Sequence, residues 1–184
     1  VRRYLALVLG HIGDTKAVPL LIEGASDMDS QVRIYSLWAL GAIEAPVSKD
    51  VLLAAVQDPD PGIRKTAAFA LGGFEEEGVI EALTVASEDP VADVRWNASL
   101  ALAQLGSPLA VPVLEQMLDR RLLAQVPEIT VAQQEQAMIG ALAALARLPQ
   151  HLDRATIDRL ADDDPSLKVR QAAIETRRAL DPTL

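Results

Sequence analysis

Val1 to Gly13 reads VRRYLALVLGHIG, and three later stretches repeat it: VRIYSLWALGAI from Val32, IRKTAAFALGGF from Ile63 and VRWNASLALAQLG from Val94. The starts are 31 residues apart each time. A fixed period of this length marks stacked supersecondary units, each burying its apolar face only against its neighbours. With the first Val or Ile as position zero, apolar residues recur at positions four, seven, eight and eleven, one arc of a helical wheel. Position nine is Gly10, Gly41, Gly72 and then Ala103. A glycine costs about 1 kcal/mol relative to alanine in a helix interior, so three at one phase predict that a neighbouring helix approaches closely there.

Each Val-Arg helix is followed by a turn and a second helical segment. Leu21, Leu52, Leu83 and Leu114 hold one phase of the period, and Pro19 falls where the missing N–H of a first helical turn costs little. The unit is therefore an antiparallel helix pair, of about eleven and thirteen residues. Between units lie acidic turns, DMDSQVR, DPDPGIR and EDPVADVR, in which Asp27, Asp58 and Asp89 precede Arg33, Arg64 and Arg95 by six residues. The recurrence predicts a carboxylate that caps the helix start and pairs with the arginine of the same turn.

Regularity breaks after Leu118. A fifth unit resumes with AMIGALAALARLP from Ala137, 43 residues after Val94, and Ala132 and Met138 stand where the Asp and Arg would be. The irregular insertion spans 119–136, and Pro127 is expected to divide it into a longer helix and a loop. A sixth unit ends in VRQAAIETRRAL from Val169, with Asp164 and Arg170 restoring the pair and Arg177 and Arg178 supplying a polar terminal face. Strands are not expected anywhere. The fold class is all-α, a right-handed α-solenoid forming a single domain over 1–184, and the chain reads as a piece of a longer protein.

Units of the form D-x-x-V-R-x-x-A-x-x-A-L-G-x-I-G-D-x-x-A-V-P-x-L resemble HEAT repeats, of the short type named after phycobilisome lyases. GHIGDTKAVPLL and the three ALG-like segments carry the likeness. The resemblance implies that the Val-Arg helices line the concave face. It also implies a range of functions, from bilin-lyase subunits and phycobilisome-degradation factors to iron-dependent hydroxylases and binding modules. The hydroxylases hold iron with His-Glu pairs, and this chain has none; its two histidines, His11 and His151, lie in different units. No metal, cofactor or catalytic group is expected, although Asp162 to Asp164 could bind a divalent cation weakly.

The 184 residues include no cysteine, which removes disulfides, thiolate metal sites and a cysteine nucleophile. The net charge of −9 argues against nucleic acid as partner. No apolar run is long enough for a membrane span, no signal peptide is read, and a cytoplasmic location is expected. The informative residues are the six aromatics. Phe74 falls at a core phase, while Tyr4, Tyr35, Trp38, Phe69 and Trp96 fall on the opposite side of the Val-Arg helices. Tyr and Trp are enriched at binding hot spots, so these five predict an apolar stripe that binds a protein or peptide. Arg3, Lys65, Asn97, Gln104 and Arg147 are its polar neighbours. The alternative is that the rings lie across adjacent helices and fill the inside of the curve. On the binding reading Tyr35, Trp38, Phe69 and Trp96 stand open to solvent. A second functional reading, from the resemblance alone, is a bilin-lyase-like chromophore-handling protein, with Arg3, Lys65 and Arg147 on the ligand's propionates.

Overall fold

The computed structural model describes residues 1–76, 78–127 and 129–180. The Val-Arg stretches form α1 (Arg2–Ile12), α3 (Ser30–Ile43), α5 (Pro61–Leu71), α7 (Ala92–Gln104), α10 (Val131–Leu145) and α12 (Leu167–Leu180). The second helices are α2 (Val18–Gly24), α4 (Lys49–Ala55), α6 (Val79–Ala86), α8 (Val111–Met117) and α11 (Arg154–Asp163). Helix α9 (Arg120–Leu123) lies in the insertion. No strand occurs among the described residues, and the architecture is an α-solenoid.

The second helices are shorter than thirteen residues, seven in α2, α4 and α8. A single turn of 3-10 helix precedes each of these, at Thr15–Ala17, Pro46–Ser48 and Pro108–Ala110. Proline explains two of them: Pro46 and Pro108 open the 3-10 turn with φ preset and no N–H to satisfy. Leu21, Leu52, Leu83 and Leu114 are all fully buried, as is Phe74. The buried apolar residues form two clusters. A small one joins Ala6, Val18, Leu21, Ala39 and Leu40; a large one runs from Leu37 to Ala173.

Successive Val-Arg helices pack directly on one another, α1 on α3, α3 on α5 and α5 on α7, whereas α2, α4, α6 and α8 meet the Val-Arg helices rather than each other. A stack with one tight layer and one splayed layer bends toward the tight one, which puts the Val-Arg helices on the inner side. Position nine supplies the tightness. A Cβ at Gly10 or Gly41 would lie 2.9 Å from the Cα of Ala39 or Ala70 on the next helix, and one at Gly72 would lie 3.3 Å from that of Ala101. Where the position becomes Ala103, the next helix, α10, packs less extensively on α7 than α5 does.

The Asp–Arg pairing differs from the expectation in a consistent way. Each arginine turns Nη1 to the backbone carbonyl of the Asp six residues before it: Arg33 to Asp27 at 2.9 Å, Arg64 to Asp58 at 2.9 Å and Arg95 to Asp89 at 2.7 Å. Two of the three carboxylates serve the preceding unit instead, while that of Asp58 accepts from the Asp60 N–H. Arg2 donates from Nε and Nη2 to Asp27 at 2.8 and 3.1 Å, and Arg64 to Asp89 at 2.7 and 3.0 Å. Each rung therefore ties one unit to the next. Capping falls to the second acid of the turn: Asp29 accepts from the Gln31 N–H and Asp60 from the Gly62 N–H.

Asp89 is held below the ordinary carboxylate range by the hydrogen bond from Arg64, helped by the Val91 N–H and the charges of Arg64 and Arg95, against the opposing pull of burial. A carboxyl depressed in the folded state stabilises it above the unfolded pKa, and that stability is lost as pH falls through the folded value. Arg64→Ala is expected to lower stability by about 2 kcal/mol at neutral pH, read as a shift of the urea midpoint. The deficit should shrink as the pH drops below about 4, where unfolded aspartates protonate. Arg2→Ala, at an exposed rung, should leave the midpoint nearly unchanged.

The insertion contains a four-residue helix rather than a longer one. Residues 131–136 belong to α10, begun by a capping box in which Thr130 and Gln133 bond reciprocally. Asp164 is also repositioned: its partner is Arg120 of α9, at 2.7 and 2.8 Å, not Arg170. The Asp162 to Asp164 cluster is thereby dispersed, with Asp164 buried against Arg120 and Asp162 exposed within 3.6 Å of Arg177. The insertion thus supplies the arginine that Met138 fails to provide.

Candidate functional site

The five off-core aromatics divide into two kinds. Tyr4 and Phe69 are 58% and 57% exposed. Tyr35, Trp38 and Trp96 are half-buried, so the expectation of four open rings holds only for Phe69. The reason is the closeness of the helices. Trp38 reaches back over α1, where its ring edge would lie 2.7 Å from a Cβ on Gly10, and its ring centre is 5.0 Å from that of His11. Tyr35 and Trp38 pack on the small apolar cluster. A helical wheel places both opposite their own core but takes no account of the neighbouring helix.

Trp96 packs on the large cluster and edges a different feature. The start of α7, the end of α8 and the insertion enclose an open recess of about 700 Å³. Trp96, Leu122, Val126, Pro127 and Ile129 give it apolar walls, Gln116, Gln125 and Gln133 add amides, and Asp93 and Arg95 are the charged residues at its rim among the described residues. Phe69, Lys65 and Asn97 are not among its walls. The insertion half of this recess, from Leu122 to Gln133, was not marked in the sequence, because it comes from the one segment without a repeat to compare.

The polar neighbours are largely engaged. The Arg3 guanidinium lies 4.9 Å from the Tyr4 ring centre and donates to Tyr4 Oη at 3.3 Å. Lys65 donates to the Asp93 carboxylate at 2.9 Å, and Asn97 Nδ2 to the Asp93 carbonyl at 2.7 Å. Gln104 is exposed, and its carbonyl oxygen would lie 3.3 Å from a Cβ on Gly72. Arg147 is exposed just past the end of α10, apart from the others. No cluster of three His, Asp or Glu side chains disposed to hold a metal occurs among the described residues. None of their helices is long and apolar enough to cross a membrane.

Comparisons with known proteins agree with this architecture. A family model described as HEAT repeats matches residues 1–62 and 50–126. Among solved structures, a chain of the complex of CpcE and CpcF of phycocyanin lyase from Nostoc sp. PCC7120 is similar over 90% of this chain, at 26% identity and a TM-score of 0.63. The alignment spans 65% of that lyase chain's length. A designed armadillo repeat protein is similar in fold over 97% of this chain and 93% of its own, at 14% identity and a TM-score of 0.55. An engineered protein covers 98% of this chain and 92% of its own, at 18% identity and a TM-score of 0.56. No curated protein matches.

Proposed function

The chain belongs to the HEAT-repeat family, and from that premise we propose that it is a non-enzymatic scaffold whose Val-Arg face binds a protein or peptide. The observation that carries this reading is Phe69. It lies at position six of α5, 57% exposed, on the tight inner layer. An aromatic ring left open on an inner face gains nothing in the core and is available to a partner. Tyr4 is equally open. Tyr35, Trp38 and Trp96 offer their outward edges, while Lys65 and Asn97 form a polar border.

The test is peptide selection from a random library, followed by affinity and urea-melt measurements on variants. Phe69→Ala is expected to leave the melt midpoint within the error of the wild type, because little of the ring is buried, and to weaken selected peptides by about 2 kcal/mol. Trp38→Ala should do both kinds of harm, since its ring also covers Gly10 and His11. Peptides indifferent to Phe69→Ala would overturn the reading.

A second reading has one specific support, the similarity to a phycocyanin-lyase chain. On it the protein handles a chromophore in the manner of a bilin lyase. Against it, two of the cations that would meet propionates are spent, Arg3 on Tyr4 and Lys65 on Asp93, and Arg147 stands apart. Mixing with phycocyanobilin decides between them: a shifted, intensified visible band favours chromophore handling, and an unchanged spectrum favours the scaffold.

A further inference from the structure

The ladder of arginines has a missing rung. Arg64 divides its guanidinium, with Nη1 turned to the carbonyls of Asp58 and Pro59 in its own turn and the Nε/Nη2 edge on the carboxylate of the next unit, Asp89, and Arg2 sets the same Nε/Nη2 edge on Asp27. Arg95 completes the first half, with Nη1 at 2.7 and 3.0 Å from the carbonyls of Asp89 and Pro90. Among the described residues its Nε and Nη2 meet no carboxylate. The sequence supplies the reason. The acid that would serve Arg95 stands at position 132, which is alanine, and 25 residues on, where Asp27 follows Arg2 and Asp89 follows Arg64, the chain has Arg120, turned to Asp164. Arg33 also lacks a bonded carboxylate, but Asp58 occupies the equivalent position in its next unit. Among the described residues no acid of the next unit bonds Arg95, and what lies there is the recess beside Trp96.

We infer that this recess receives an aspartate or glutamate side chain carried on an extended segment of a partner protein. The incoming carboxylate pairs with Nε and Nη2 of Arg95 in the bidentate geometry that Asp27 and Asp89 adopt at their own rungs. An apolar residue beside it in the segment packs against the Trp96 indole and Pro127, and Gln116, Gln125 and Gln133 are placed to pair with its main chain. The inference rests on the scaffold reading and names the chemistry of its partner. Several features favour it. The guanidinium is half-buried and already fixed by two carbonyls, so little side-chain entropy remains to be lost. A planar fork matched to a carboxylate gives one of the stronger hydrogen-bonded pairs available to a protein. Asp93, the one acid at the rim among the described residues, is already held by Lys65. The overall charge of −9 gives an acidic partner no long-range attraction, so recognition depends on this short-range fit.

The protein's own turn is the natural probe. A synthetic peptide copying residues 85–92, VASEDPVA, carries the aspartate that serves Arg64. Two-dimensional ¹H–¹⁵N spectra of the whole chain follow the Arg95 Nε–H and the two indole N–H signals. The peptide is expected to move the Arg95 and Trp96 signals saturably at millimolar concentration and to leave that of Trp38 in place. An Asp89→Asn copy of the peptide should bind at least about tenfold more weakly to the unaltered protein, a comparison that does not depend on any variant folding. Arg95→Gln should weaken the aspartate peptide equally.

Equal binding of the two peptides, no saturable shift, or movement of Trp38 in place of Trp96 would each overturn the inference. So would sodium propionate acting at the same midpoint concentration as the peptide, which would mean that a lone carboxylate suffices. Glu128 falls in the same segment and outside the described residues; if binding appears only in Glu128→Gln, Arg95 is engaged within the chain and the inference fails. A selected peptide that responds to Phe69→Ala and not to Arg95→Gln sinks the carboxylate site while leaving the scaffold reading intact.

Discussion

Replacing Arg120 with alanine is expected to destabilise the protein by about 3 kcal/mol at neutral pH, the largest loss for any single rung, because it strands a buried charge. Asp164 has a side chain only 2% exposed and receives both arms of Arg120, at 2.7 and 2.8 Å. Burial pushes its carboxyl up, yet the hydrogen bond from Arg120, the Ser166 N–H and the charges of Arg120 and Arg170 together hold it below the ordinary carboxylate range. A depressed folded-state pKa means that the native protein gains stability above the unfolded pKa and loses it as pH falls through the folded value. Removing Arg120 takes away the main opposition to burial, so the carboxyl titrates at higher pH in the variant. The difference in urea stability between wild type and variant should therefore be greatest near pH 7 and narrow steadily below about pH 4. A difference independent of pH would show that Arg120 acts by packing alone. Arg120→Ala/Asp164→Ala should recover much of the loss, since no charge is then stranded.

Gly41→Ala should be almost as damaging, although alanine is the better helix former by about 1 kcal/mol. The added methyl would overlap the side chain of Ala70 and lie 2.9 Å from its Cα, so α3 and α5 must separate. Overpacking of this kind costs about 1–3 kcal/mol, and here the obstacle is backbone, with no flexible end to swing away. The prediction is graded. Gly10→Ala meets the Ala39 Cα at 2.9 Å and the Trp38 ring at 2.7 Å, whereas Gly72→Ala meets Ala101 at 3.2–3.3 Å and should be tolerated best. Thermal melts of the three variants should rank in that order of loss, with Gly72→Ala within about 1 kcal/mol of the wild type. If all three rise in stability, helix propensity outweighs the inter-helix contact and the tight layer is softer than its geometry indicates.

The sequence made the repeat legible because every unit faces the same packing problem and solves it with the same residue types. The position-nine glycines, the position-zero residues and the leucines of the second helices could be aligned by eye, and the leucines and the position-zero residues Val32, Ile63, Val94 and Val169 are buried as the alignment implies, while Val1, with no unit stacked before it here, is exposed. Pairing across units was not visible in the same way. Asp27 and Arg33 are six apart and catch the eye as partners, but a helix start places that arginine over its own carbonyl, while the carboxylate faces the arginine 25 residues earlier. The aromatic stripe was half legible. Phase told that Tyr35, Trp38 and Trp96 leave their own core, and only the close approach of α1 and α3 and the course of the insertion told what they meet next. The insertion itself was least legible: no second copy exists in the chain to show that Arg120 takes over for Met138.

The division of the apolar core carries a further consequence for how the molecule comes apart. The boundary between the two clusters runs lengthwise through α3, whose Leu37 belongs to one and whose Ala39 and Leu40 belong to the other, with partly buried Ala25 and Val51 packed against both. In a linear array of coupled elements, such a shared element is a domain wall: it can be ordered with the block on either side. The first unit should accordingly detach as a separate cooperative block, leaving α3 anchored to the remainder by Leu37 and by the contact of Gly41 with Ala70 of α5. Amide exchange would then step in two levels along the chain, with α1 and α2 opening at a free energy below that of α5, α7 and α10. The inner surface that Trp38 shares with Gly10 and His11 would open and close with that first block, so occupancy of this end of the face and the cohesion of the array would rise and fall together.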